Sequence, residues 1–244
     1  MVARVLSAFG VTRERVRAWI EQQSGRPRGR VRDGDGTAVR AELAEVCRRL
    51  YARGLVTSVA GNVSAREGDR LYITPTGFAL DAVAPEDVVV TDLEGRVLEG
   101  RHRPSSELPL HRAVYRAEPE VRAVVHTHSP VATAFSVRGE GLAPVTTEAE
   151  MLLGEVPLVP YAPPGSEGLG AAVAERVRCC RAVLLERHGV VAWGGSLREA
   201  FHRAELAEET ARVHFLLRLL AAAPARGWAG GPPPAGGATP GVGA

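Results

Sequence analysis

The sequence predicts a layered α/β or α+β domain, on three observations. Short β-branched runs and helical stripes are interspersed, without the regular alternation of a wound parallel sheet. No GxGxxG follows a strand-like run, which argues against a dinucleotide fold. The 244 residues, 45% of them hydrophobic, suffice for one domain with a substantial core and are too few for two large ones.

The elements follow from pattern and punctuation. Residues 1–36 read as an appendage: a short amphipathic helix over Val5–Ile20, then a Gly- and Arg-rich linker. A helix is expected from Thr37 to Arg53, with Val39, Leu43, Val46 and Leu50 on one stripe and Gly54 just past its end. Ser58–Arg66 reads as polar and turn-rich, followed by a strand at Leu71–Thr74. Val88–Thr91 and Arg96–Leu98 form a hairpin around Asp92–Gly95. A helix opens at Ser105 or Ser106 and stops before Pro119. Val121–Thr127 is a strand, and Ser129-Pro130 gives an N-cap and a proline at the first helical position. Strands follow near Val156–Val159, Arg181–Leu185 and Val190–Trp193, with a helix from Ser166 between the first two. Ser196 to Glu199 is a capping box opening a long helix to about Leu220. From Ala222 onward 12 of 23 residues are Gly or Pro, a composition expected to be disordered. The expected domain is therefore residues 37–221, with residues 222–244 as a tail.

Composition removes whole function classes. All 30 basic Lys+Arg residues are arginine, which excludes a lysine Schiff base, a pyridoxal aldimine and a Walker phosphate lysine. Carbonyl chemistry here needs another electron sink, and a metal is the obvious one. A formal charge of +2 marks no nucleic-acid surface, and no apolar run approaches the roughly 20 residues of a membrane span. Three cysteines, with Cys179 and Cys180 adjacent, make no disulfide framework. With no signal-peptide pattern, a cytoplasmic location is expected.

The chemistry-bearing residues are few. His126 and His128 end an apolar strand, and period-2 alternation puts both imidazoles on one face. They are either the start of a divalent-metal site or one buried and one exposed histidine. His188, before Gly189, is a third candidate ligand or a plain turn residue. Glu107 sits at a helix start, where a carboxylate is electrostatically favoured in any case. His111, four residues on, shares its face and is read as orienting the glutamate or packing beneath it. Gly61-Asn62-Val63-Ser64, Thr74-Pro75-Thr76-Gly77 and Ser105-Ser106 supply neutral donors, with which a lysine-free chain can hold a phosphate.

In series these segments resemble the class II aldolase/adducin family, nearest in pattern to its fuculose-phosphate type. The matches, in family order, are Ala60–Ser64, Ile73–Gly77, Pro104–Glu107, Val125–His128 and Leu184–Gly189. The resemblance implies a three-layer α/β/α fold with a central, largely antiparallel sheet, and a homotetramer with sites between subunits. It implies one Zn2+ per subunit, or another divalent metal, on His126, His128 and His188. Glu107 is then the acid/base, and Asn62, Thr76, Gly77, Ser105 and Ser106 bind the phosphate of a ketose substrate. The implied activity is that of a lyase, an aldolase acting through a metal-stabilised enediolate.

One departure bears on the reaction. Relatives use a tyrosine near the C-terminus, yet no tyrosine here lies beyond Tyr161; His214 stands in the long helix where some carry it. A further family tyrosine falls at Thr146-Thr147. The alternatives are 4-epimerisation, dehydration or 3-oxo acid phosphate decarboxylation on the same scaffold, or a non-catalytic adducin-like domain. Small-molecule substrates and copies of itself are the expected partners, with no nucleic acid and no membrane.

Overall fold

The computed structural model describes residues 36–222. The helix expected at Val5–Ile20, its linker up to residue 35 and the Gly/Pro-rich segment past residue 222 lie outside the described residues. The strands are β1 (Asn62–Glu67), β2 (Arg70–Ile73), β3 (Val89–Thr91), β4 (Val97–Glu99), β5 (Ala123–Thr127), β6 (Leu158–Val159), β7 (Ala182–Leu185) and β8 (Gly189–Gly194). They form one eight-stranded sheet in the order β4-β3-β2-β1-β5-β8-β7-β6. Every neighbour pairs antiparallel except β6 with β7.

The helices are α1 (Thr37–Ala52), α2 (Leu108–Ala117), α3 (Pro130–Val137), α4 (Thr147–Leu152), α5 (Glu167–Ala174) and α6 (Leu197–Ala222). Two apolar layers result. Leu43 and Leu50 of α1, Phe135 of α3 and Phe201 and Ala204 of α6 pack with Val63, Val125 and Val190 on one face. Leu110 and Val114 of α2 and Leu169 and Val173 of α5 pack with Val124, Val183 and Val191 on the other. The fold is the three-layer α/β/α arrangement with a largely antiparallel sheet. β5 lies mid-sheet, so Val124 and Val125 feed opposite layers and the whole strand is buried. Each fully buried side chain of this kind contributes about 1.5–3 kcal/mol. α2 and α5 approach closely because Gly170 has no side chain; a Cβ there would meet the Pro109 carbonyl at 3.0 Å. Among the described residues no helix is long and apolar enough to cross a membrane.

Two expectations are corrected. Ser58–Arg66 is not all turn: Asn62–Glu67 is the inner strand β1. Its alternation rests on two apolar residues alone, Val63 and Ala65, while the buried positions between them are the hydrogen-bonded Asn62 and Ser64, too short a pattern to mark a strand. The helix expected at Ser105 or Ser106 starts only at Leu108, with Glu107 as its N-cap. The Ser105 hydroxyl accepts from the Glu107 N–H at 3.2 Å, a local bond that competes with a helical start. The short helix α4 was not anticipated; it is capped by Thr146, whose hydroxyl accepts from the Ala149 N–H. The capping box at Ser196 forms with a shift: Ser196 accepts from the Glu199 N–H, and the Glu199 carboxylate accepts from Gly195.

Candidate metal and anion site

The C-terminal end of β5 sets the site. Asn62 of β1 is the direct cross-strand partner of His126, and β8 flanks the other edge with Val191 opposite His126. His188 stands in the tight turn from β7 to β8, where Arg187 at φ 56° supplies the left-handed step. Such a step strains a residue with a Cβ, and here it precedes a side chain aimed at the neighbouring strand end. The three imidazoles converge, with ring centroids 4.7–4.9 Å apart. One nitrogen from each lies within 4.8 Å of the others.

The electrostatics favour the neutral form of all three rings. The Nδ1–H of His126 donates to the Val190 carbonyl at 2.9 Å, which leaves Nε2 free. That Nε2 lies 2.9 Å from Nε2 of His128. Burial first, then the neighbouring imidazoles, holds His126 far below the usual histidine range. Burial also lowers His128, and pushes His188 down to about 4. Neutral nitrogens facing a common point are the donor set of a divalent cation with an open position.

Glu107 completes the group. Its carboxylate oxygens stand 3.6 Å from His126 Nε2 and 3.8 Å from His188 Nε2, beyond hydrogen bonding. Oε2 is buried without a hydrogen-bond partner among the described residues. Burial pushes the carboxyl up to about 7, partly offset by the Gly165 backbone N–H. An orphaned buried oxygen beside three nitrogen donors fits a site built around a cation.

Around these groups opens a cleft lined also by Asn62, Thr76, Gly77, Ser105 and Ser106. His214 is not among its lining residues: its Nε2–H donates to the Ala143 carbonyl at 2.7 Å, and its ring lies 5.9 Å from that of Phe135. Sequence reasoning missed Tyr115 and Gly165 and grouped Ser64 with the phosphate donors, whereas Ser64 is fully buried between His111 and Tyr115. Tyr115 could have been found, since Glu107, His111 and Tyr115 recur every four residues along one helical face. Of the two roles expected for His111, orienting Glu107 or packing beneath it, no hydrogen bond among the described residues carries the first. Its ring is fully buried, pushed down to about 3, and bound by Ser64 and Asn62.

A sheet that gathers three imidazoles at one end, with a buried carboxylate beside them, defines a class: α/β proteins with a side-chain cluster that could hold a metal ion. The chain belongs to the class II aldolase and adducin N-terminal domain family, whose model matches residues 41–215. It is 39% identical over 179 residues to an L-fuculose phosphate aldolase of Methanococcus maripaludis, covering 73% of this chain and 97% of that one. It is 38% identical over 185 residues to a 3-oxo-tetronate 4-phosphate decarboxylase of Cupriavidus necator, covering 74% and 85%. The solved L-fuculose-1-phosphate aldolase of Thermus thermophilus superposes with a TM-score of 0.71 at 35% identity, over 76% of this chain and 97% of that one.

Proposed function

We propose that this protein is a metal-dependent lyase that breaks or forms a C–C bond in a phosphorylated ketose. The observation that carries this reading is the convergence of three imidazoles, a buried carboxylate with one oxygen unpartnered among the described residues, and a rim of uncharged donors in one cleft. His126, His128 and His188 would hold one divalent ion, zinc by the preference of nitrogen donors. When bound, the ion supplies Lewis-acid polarisation of a carbonyl and its neighbouring hydroxyl. Glu107 takes and returns the substrate proton from its place beside the imidazoles. Asn62, Thr76, Gly77, Ser105 and Ser106 receive the phosphate through N–H and O–H donors.

Residues 37–221 form the catalytic unit on this reading, acting in the cytoplasm. The unit works as a homotetramer whose subunits complete one another's clefts. Supporting this, Phe215, Leu216, Leu217, Leu219 and Leu220 stand exposed along the end of α6. His214, on the same stretch, is the candidate for the absent tyrosine's role in a neighbour's cleft. Sedimentation showing a stable, fully active monomer would overturn the tetramer.

A second reading, decarboxylation of a 3-oxo acid phosphate, is favoured by the likeness to the Cupriavidus necator decarboxylase and the lack of a tyrosine beyond Tyr161. One experiment separates the two. Metal-loaded protein is incubated with ketose 1-phosphates and with 3-oxo acid 4-phosphates, with and without chelator. Chelator-sensitive release of an aldehyde and a triose phosphate supports the aldolase, and release of CO2 supports the decarboxylase. Turnover unaffected by thorough metal removal would sink both.

A further inference from the structure

Below the cleft lies a buried chain of polar side chains that metal binding and proton transfer do not use. Tyr115, Ser64 and His111 are fully buried, and Asn62 is 6% exposed. The Tyr115 hydroxyl is 2.7 Å from Ser64 Oγ, Ser64 Oγ is 2.6 Å from His111 Nδ1, and His111 Nε2 is 2.5 Å from Asn62 Oδ1. Tyr115 and His111 come from α2, and Ser64 and Asn62 from one face of β1. The chain therefore ties the helix that starts at Glu107 to the strand beside His126.

We infer that His111, backed by Ser64 and Tyr115, is a positioning residue that holds the Asn62 amide with its NH2 toward the cleft, as a donor for an anionic oxygen of the substrate. The inference rests on the reading of the cleft as a phosphate site.

The direction of the chain follows from counting protons. A neutral imidazole carries one N–H and one lone pair. In one polarity Tyr115 O–H donates to Ser64, Ser64 O–H to His111 Nδ1, and His111 Nε2–H to the Asn62 carbonyl oxygen. Every proton is then accepted, and the phenol oxygen keeps a lone pair for the Val124 backbone. In the reverse polarity His111 Nδ1–H donates to Ser64, and Ser64 donates to Tyr115. The phenolic proton is then left buried with no acceptor among the described hydrogen bonds, a loss comparable to a whole bond. That polarity would also turn the Asn62 oxygen into the cleft, where it would repel an anion. The first polarity wins on satisfaction, and the same choice decides what the cleft offers its ligand.

Three residues thus set the sign of one donor without touching the substrate. His111 Nε2 is the grip, and a glutamine places an amide N–H at nearly the same reach. His111→Gln should therefore keep the Asn62 orientation, whereas His111→Leu frees the amide to rotate.

The test uses the full-length, metal-loaded protein. Inorganic phosphate binding is measured by calorimetry for wild type, His111→Gln and His111→Leu. The His111 ring tautomer is read from 15N shifts in wild-type protein labelled at histidine. We expect an Nε2–H tautomer, a phosphate Kd raised about ten-fold or more in the leucine variant, and recovery of most of that loss by glutamine. The variants' KM for the phosphorylated substrate should follow phosphate affinity, with kcat changing much less. An Nδ1–H tautomer would overturn the relay whatever the substrate is. Equal phosphate affinity in the leucine variant and wild type, or equal loss in both variants, would reduce His111 to a packing residue. Failure of the wild-type protein to bind phosphate would instead sink the phosphate reading of the cleft, and the amide's proposed ligand with it.

Discussion

Gly189 lies against the backbone carbonyl of Thr127, so close that a Cβ there would collide with that oxygen. The same Cβ would come within 3.1 Å of the His128 ring and 3.3 Å of the His126 ring. β8 begins at this residue, directly after His188. The missing side chain is what lets the third imidazole reach the pair at the end of β5. Gly189→Ala must push β8 away from β5 or rotate the histidines. We expect it to cost about 1–3 kcal/mol of stability, the range for overpacking, and to weaken metal uptake. Denaturant unfolding and a zinc titration would measure both. An alanine variant that binds zinc as the wild type does would refute the close-approach argument.

The metal itself should be measurable as a stabiliser. An ion that binds only the folded chain raises stability by about 2.7 kcal/mol at a hundred times its dissociation constant. We therefore expect close to one zinc per chain by elemental analysis and a lower unfolding midpoint after chelation. His126→Ala should remove most of that chelator sensitivity. An identical midpoint with and without chelator, in a protein carrying no metal, would remove the basis for the three-histidine site.

How far the sequence was legible depends on where each polar residue spends its hydrogen bonds. His126 and His128 could be placed on one side of a strand end because the run before them is plainly apolar and β-branched. β5 and the helices α1, α5 and α6 were legible for similar reasons: stripes, caps and prolines mark them. β1 was not, because Asn62 and Ser64 fill inward positions that are satisfied by His111, 49 and 47 residues further on. No local pattern reports a partner that distant. The start of α2 was misread because serines that cap helices also close turns, and here Ser105 closes one. Helical spacing relates His111 to Glu107, as a partner or a packing neighbour, but cannot show that its hydrogen bonds go to Asn62 and Ser64 across the sheet.

The segment that leads into Glu107 is tied down by Asp87, and its stability should respond to acid. Arg101 donates to Asp87 at 2.8 Å, and the Ala84 N–H donates to its other oxygen at 3.1 Å. The Arg101 guanidinium first, with Ala84 and His102 adding to it, holds the Asp87 carboxyl below its usual value. A depressed folded pKa means stability that is present above the unfolded value of about 3.9 and is lost as pH falls through the folded one. Asp87→Asn should therefore be less stable than wild type near pH 7. The deficit should shrink below about pH 4, as the wild-type carboxyl takes up its proton. Urea midpoints at pH 7, 4 and 3 would show it. A deficit that stays constant across that window would mean that Asp87 acts through shape rather than charge.

The role given to Glu107 admits the most direct test. Glu107→Gln keeps the size of the side chain and leaves intact the backbone bond from Glu107 N–H to Ser105 that precedes α2. It removes only the ability to take and return a proton. The wild-type carboxylate is also buried with Oε2 unpartnered, so a neutral amide relieves a desolvation cost. Stability without metal should equal or exceed that of the wild type. Zinc content should be unchanged if the three histidines alone hold the ion. Turnover of the phosphorylated substrate should fall by at least about 10²-fold, the usual scale for losing a positioned acid/base group. KM should move little, because Asn62, Thr76, Gly77, Ser105 and Ser106 still receive the phosphate. If the glutamine variant turns over at near wild-type rates, another group moves the proton. If it loses zinc along with activity, Glu107 serves the ion as well as the substrate.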